Sequence, residues 1–208
     1  VYEQGGGGNY RIKKSRGGRF MILLIDNYDS FSYNLYQLIG TIDSNIKVIR
    51  NDEMAADKIE ELHPDHIILS PGPGRPENAG IIMEVAKTLS KKIPTLGVCL
   101  GHQAICAAYG ASITYAKHLM HGKQSVITVQ NNCSLFEHCP SDFSVARYHS
   151  LAADPDTIPD CLEVAAVVED GEIMAVQHKK YPIYGVQFHP ESIMTPDGKT
   201  ILQNFINL

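Results

Sequence analysis

The residues best placed for covalent chemistry lie in Gly97-Val-Cys-Leu-Gly101. This glycine, x, nucleophile, x, glycine pattern stands between a short apolar run, Thr95 to Cys99, and a segment with helical spacing from about Gly101 to Tyr109. A sharp turn from strand to helix needs small residues on both flanks, and it would push the Cys99 side chain outward. The positive end of the following helix would favour a thiolate there. The amide of Leu100 would point at a developing oxyanion. The competing reading is a core cysteine ending a buried strand; the paired glycines in strand–turn–helix context weigh against it.

A thiolate nucleophile needs an imidazole, and the imidazole needs an orienting group. His189-Pro-Glu191 offers both. In an extended chain residues i and i+2 project to one side, and Pro190 disfavours a helical turn at His189. His189 could then face Cys99 while Glu191 holds the ring. A loop histidine beside a solvated glutamate has the same spacing, so spacing alone leaves both readings open. The third element is Ser70-Pro-Gly-Pro-Gly-Arg-Pro76. It lacks the pattern of a phosphate loop, and Glu77 stands where a third dinucleotide-binding glycine would be. A second oxyanion donor from the amide of Gly72 is one reading, and an ordinary rigid turn is the other. Cys106, Cys133, Cys139 and Cys161 attract no role. Cys133 and Cys139 with His138 match no zinc spacing, so no metal site is expected.

Positioning these groups requires a framework. Met21–Ile25, Ile46–Ile49, His66–Ser70 and Thr95–Cys99 read as strands. Between them, helical patterns run from Asp29 or Ser30 through Phe31, Leu35, Leu38 and Ile39, from Ala55 to Leu62, and from about Asn78 to Lys91. Alternation with such short connections predicts a parallel sheet covered on both faces by helices. The second half adds strand-like runs at 125–129, 144–147, 162–168, 173–178 and 183–188, partly antiparallel, and a closing helix over about 199–207. The expected fold is a single α/β domain over residues 21–208.

Composition narrows the alternatives. The chain has 208 residues, 44% of them apolar, enough for one core. No apolar run approaches the roughly 18 residues of a spanning helix. A net charge of -5 gives no electrostatic reason to expect nucleic acid. Five cysteines without framework spacing suit a reducing compartment, hence the cytoplasm. Five of the 18 basic residues but one of the 23 acidic residues fall in residues 1–20, leaving 13 and 22 and a net of -9 beyond them. That glycine-rich basic stretch reads as a disordered extension, an expression remnant or upstream readthrough.

Taken together, Gly97-Val-Cys-Leu-Gly-His-Gln103, Ser70-Pro-Gly-Pro-Gly74 and Phe188-His-Pro-Glu-Ser192 closely resemble the class I, triad-type glutamine amidotransferases. Asp26-Asn-Tyr-Asp-Ser-Phe31, Met120-His-Gly-Lys123 and Arg147-Tyr-His-Ser-Leu151 narrow the likeness to glutaminase subunits of anthranilate synthase (component II) and aminodeoxychorismate synthase. The resemblance spans residues 21–208. It implies a flavodoxin-like open sheet and a triad of Cys99, His189 and Glu191. By the family pattern Gly72 and Leu100 would form the oxyanion hole, and Gly72, Gly74, Leu100, Gln103, Ser150 and Leu151 would hold glutamine. The implied partner is a chorismate-binding synthase subunit, component I of either enzyme, which would carry the magnesium; no cofactor is expected on this chain. His121 and Lys123 would face that partner. A folate-pathway role with the same chemistry, and a stand-alone thiol hydrolase on a similar sheet, are the alternatives.

Overall fold

The computed structural model describes residues 20–118, 120 and 122–208. Its centre is three short apolar strands: β1 (Ile22–Asp26), β3 (His66–Leu69) and β4 (Thr95–Val98), all fully buried. Runs without polar alternation suit strands covered on both faces. β2 (Ile46–Arg50) pairs parallel to β1, β1 to β3, β3 to β4, and β4 to β11 (Ile183–Val186). Successive side chains of β1 enter two different cores. Ile22 and Leu24 pack with α1 (Ser32–Gly40) and α5 (Gly198–Ile206), through Leu35, Ile39, Ile201 and Phe205. Leu23 and Ile25 pack with α2 (Ala56–Ile59), α3 (Ile82–Lys87) and α4 (Leu100–Ala108), through Ile59, Val85, Ala104 and Ile105. Each fully buried aliphatic side chain contributes about 2 kcal/mol, so this alternation fixes the register of the sheet.

Beyond β11 the sheet continues antiparallel through β10 (Ile173–His178), β9 (Leu162–Val168), β6 (Lys123–Val129) and β7 (Asp142–Arg147). The nine-stranded order is β2-β1-β3-β4-β11-β10-β9-β6-β7. Its parallel half has the order of a flavodoxin-like sheet, and the order in which strands are added reverses between β1 and β3. In such sheets ligands lie beyond the carboxyl ends of the strands. The residues that follow those ends here are Asn27, Ser70, Cys99 and Gln187.

Three features depart from the sequence reading. The single helix expected over 78–91 is broken: a 3-10 turn at Pro76–Asn78 precedes α3, and another at Leu89–Lys91 follows it. The break has a local cause. Gly80 adopts φ +59 against the backbone of Asn51, where an added Cβ would lie 2.2 Å from the carbonyl oxygen, and the amide of Ile81 donates to that oxygen at 3.0 Å. Two short strands, β5 (Ile113–Tyr115) and β8 (Leu151–Ala153), form a separate antiparallel pair that three-residue patterns did not reveal. Phe20, assigned to the extension, packs against His66 at 5.1 Å between ring centroids and against the core beneath α1 and α5, so the packed domain includes it.

Candidate active site

Cys99 is the residue between β4 and α4, with φ 51 and ψ -99, a conformation that L-residues rarely adopt. Its amide donates to Val186 of the neighbouring strand at 2.8 Å, and its carbonyl accepts from Gln103 at 3.0 Å. The turn tolerates no side chain on either flank. A Cβ on Gly97 would stand 2.4 Å from the backbone of Gly101, and one on Gly101 would stand 2.3 Å from the carbonyl oxygen of Leu69. The pattern of small residues thus records a physical crowding of β4, α4 and β3. Leu100 is the first residue of α4, so its amide has no partner within the helix.

The loop after β3 meets the same point. Asn27 and Ser70 stitch the ends of β1 and β3 together: the Asn27 amide donates to Ser70 Oγ and the Asn27 side chain to the Ser70 carbonyl, each at 2.8 Å. Asn51 donates in turn to Asn27 Oδ1 at 3.0 Å. Gly72 then passes so close that a Cβ there would be 2.5 Å from Asn27 Cβ and 2.6 Å from Leu100 Cδ2. The segment carrying the Gly72 amide is therefore held against the residue after Cys99. Gly74, with φ +77, lies farther out, where an added Cβ would meet nothing.

β11 brings the histidine. Gly185 and Val186 are in register with Gly97 and Val98, so the two residues after Val186 run alongside the cysteine turn. His189 Nδ1 and Glu191 Oε1 are 2.7 Å apart, with side chains 3% and 0% exposed. The backbone around them is anchored by Thr195, whose hydroxyl donates to the His189 carbonyl at 2.7 Å and accepts from the Ala146 amide at 2.9 Å. Phe31 and Tyr148 flank the imidazole with centroids at 5.4 and 5.0 Å, both edge-on. His189 Nε2 has no hydrogen-bond partner in good geometry among the described residues. Burial pulls the pKa of His189 down, yet the neighbouring Cys99 sulfur and Glu191 carboxylate together hold it well above the ordinary histidine value. Cys99 and His189 are thus electrostatically coupled, although sulfur and ring nitrogen stop short of a formal hydrogen bond.

Gln103, in the first turns of α4, is buried and donates both amide protons, to the Leu151 carbonyl at 2.8 Å and to Gln187 Oε1 at 3.1 Å. Leu151 is buried at the start of β8, while Ser150 is exposed and its carbonyl accepts the Ala116 amide at 2.9 Å. Behind them lies a buried ionic cluster. Glu172 Oε1 receives Arg147 Nη2 at 2.5 Å and pairs with His149 Nε2 at 2.6 Å, with all three side chains at most 3% exposed. Lys123 opens β6 as an exposed residue paired in register with Arg147; His121 lies outside the described residues.

Burial pushes Cys106 and Cys133 up to about 12 and Cys139 up to about 11, which leaves them protonated and unreactive at neutral pH. The sequence reading missed Gln187, Phe31, Tyr148, Thr195 and Glu172. Gln187 stands two residues before His189, but the pattern marks it only as part of the strand-like run 183–188.

The α/β sheet thus carries a cysteine on a strained strand-to-helix turn and, after the next parallel strand, a buried histidine–carboxylate pair, residue types from which nucleophilic thiol chemistry can be built. The chain belongs to the class-I glutamine amidotransferase family, whose model matches residues 23–208. It is 50% identical to the aminodeoxychorismate/anthranilate synthase component 2 of Bacillus subtilis, over 89% of this chain and 95% of that protein. It is also 50% identical to the bifunctional protein TrpGD of Thermotoga maritima over 90% of this chain, but spans about a third (32%) of that longer protein. Among solved structures, a candidate GMP synthase subunit from Thermoplasma acidophilum superposes with a TM-score of 0.81 at 27% identity, covering 92% of this chain and 94% of that one.

Proposed function

We propose that the chain is the glutaminase subunit of a chorismate-aminating synthase, with Cys99 as nucleophile, His189 as general base and acid, and Glu191 as the group that orients the imidazole. The observation that carries this reading is the meeting of Cys99, on its left-handed turn, with the buried His189–Glu191 pair at the end of the adjacent parallel strand. Cys99 thiolate attacks the side-chain amide carbon of glutamine, forming a C–S bond and an oxyanion that faces the Leu100 and Gly72 amides. One such donor is worth roughly 3 kcal/mol in the transition state. Collapse breaks the C–N bond as His189 protonates departing ammonia, leaving a γ-glutamyl thioester. Water, deprotonated by His189, then attacks the thioester; the C–S bond breaks and glutamate leaves.

Gly72, Gly74, Ser150 and Leu151 would hold glutamine largely through backbone groups. Gln103 has both side-chain protons committed, so its contact with substrate would run through its carbonyl oxygen. The synthase partner would bind chorismate and magnesium and use the ammonia, and Lys123 and His121 would face it. Anthranilate formation is the favoured product, with aminodeoxychorismate as the second reading, because the Bacillus subtilis relative is named for both.

The test mixes the purified chain with each candidate synthase, chorismate and magnesium. Cys99→Ala should abolish product from glutamine and leave product from ammonium intact. Glutamine-dependent product from Cys99→Ala would refute the nucleophile assignment, and the synthase that responds identifies the branch.

A further inference from the structure

Gln187 is fully buried between the cysteine turn and the Gln103 side chain, and its Nε2 lies 3.5 Å from Cys99 Sγ. The direction of this contact follows from chemistry alone. The Leu151 carbonyl can only accept, so Gln103 must turn its NH2 group toward it. The second proton of that NH2 then points at Gln187, which must present its oxygen. Gln187 is left with its own NH2 facing the sulfur. The polarity of the relay is fixed at its far end by a backbone atom. A donor so fixed serves a thiolate far better than a thiol, since hydrogen bonds to charged acceptors are the strong ones.

We propose that Gln187 is a catalytic residue that donates a hydrogen bond to Cys99 sulfur whenever it is anionic, with Gln103 as the positioning residue that sets the donor's direction. The inference rests on the glutaminase reading of the site. The sulfur is anionic twice in that cycle, before it attacks the amide and when the C–S bond of the thioester breaks. The Gln187 donor is in place for both moments without rearrangement. His189 is the titratable group coupled to the sulfur, Glu191 stands behind it, and Asp29 is electrostatically coupled to His189 from the loop after β1. The relay supplies a donor that does not titrate. It also ties the sulfur to the Leu151 carbonyl, in the segment expected to receive substrate, so a shift of that segment on binding would be felt at the nucleophile.

The experiment measures site-resolved alkylation of Cys99 by iodoacetamide on the full chain, without glutamine, across pH. Gln187→Met keeps the length and removes the donor. Gln103→Glu keeps Gln187 but has at most one proton to share, so Leu151 and Gln187 cannot both be served and Gln187 is free to reverse. Both variants should slow alkylation at neutral pH about tenfold, the worth of one hydrogen bond to a charged group. Both should also move the whole rate curve to higher pH. With the synthase present, Gln187→Met should lower the glutamine-dependent kcat with little change in KM. A uniform loss at every pH, or native curves in both variants, would overturn the proposal. Should Gln187→Met fail to fold by thermal unfolding, Gln103→Glu decides alone. Cys99→Ala separates the two claims: if it retains glutamine-dependent synthesis the glutaminase reading falls, whereas a dead Cys99→Ala beside a native-like Gln187→Met removes only the role of Gln187.

Discussion

His189 and Glu191 form a buried pair, Nδ1 to Oε1 at 2.7 Å, two positions apart in a turn that the Ser192 amide closes on the His189 carbonyl at 3.2 Å, rather than on the extended segment that the spacing predicts. The bond leaves Nε2 as the nitrogen available for chemistry. Glu191→Gln replaces a charged acceptor with a neutral amide that can present the wrong atom. Glutamine-dependent turnover should fall by up to roughly 10⁴-fold, the loss seen when the carboxylate of a Ser–His–Asp triad is made neutral. Steady-state glutaminase assays of the complex check this, and a loss below tenfold would argue that Glu191 only fills space. The sign of the accompanying pH effect is also determined. His189 has a raised folded pKa, so the pair's stabilisation is complete below 6.5 and is lost as pH climbs through the folded value. The stability gap between the native chain and Glu191→Gln should therefore shrink in alkali.

The strained backbone of Cys99 makes a second prediction. At φ 51 and ψ -99 a residue with Cβ stores energy that glycine does not, of the order of 1–3 kcal/mol. Cys99→Gly and Cys99→Ala should be equally inactive with glutamine, but the glycine variant should unfold at the higher urea concentration. Equal midpoints would mean that the turn carries no strain. Conversely, Gly101→Ala pushes a methyl group into the Leu69 carbonyl and should cost about 3 kcal/mol while disabling the site.

Much of this was legible in the residues. The runs at β1, β3 and β4 are apolar because both faces are covered, and the paired glycines around Cys99 register the crowding of three backbones. The His189–Glu191 spacing allowed the pair but could not require it; burial of both side chains does. What escaped is of a different kind. Glu172 lies in a loop before β10 and meets Arg147 at the end of β7 and His149 in the loop after it, a contact between residues 25 and 23 positions apart that no local pattern encodes. Gln187 falls inside the strand-like run 183–188, and its side-chain partners, Cys99 and Gln103, come from the turn after β4 and from α4. Gly80 falls inside the helix expected over 78–91, and its left-handed turn against Asn51 depends on the end of β2.

A third prediction concerns acid. His66 lies wholly buried in β3 between the rings of Phe20 and Phe205, and burial lowers its pKa from 6.5 to about 4. Its unfolded form takes up a proton near pH 6.5 and its folded form does not, so stability falls as pH drops from 6.5 toward 4. The loss from this residue should reach roughly 3 kcal/mol. Urea unfolding along that range checks it. His66→Leu should flatten the profile, although His102, lowered by burial to about 3, will retain part of the slope. An unchanged slope in His66→Leu would exclude His66 as a source of acid sensitivity.

The buried cluster of Glu172, Arg147 and His149, beside the segment proposed to hold glutamine, permits the last prediction. Glu172 receives Arg147 at 2.5 Å and His149 at 2.6 Å, and burial of the carboxylate is countered by those two partners, which hold its pKa below the usual range. Removing one partner from a buried ion pair leaves an uncompensated charge, which costs about 3–5 kcal/mol. Replacing the pair together with apolar residues need cost far less, because two desolvation penalties vanish with the attraction. Arg147→Met should therefore destabilise the chain more than the double variant Arg147→Met/Glu172→Leu. Double-mutant analysis by urea unfolding checks the ordering, and a single variant no less stable than the double would show that the cluster is not electrostatically closed. Function should follow a different order. His149 precedes Ser150 and Leu151, and its ring is held by Glu172, so the double variant recovers stability but not the placement of that segment. It should keep a raised KM for glutamine even where its unfolding midpoint approaches that of the native chain.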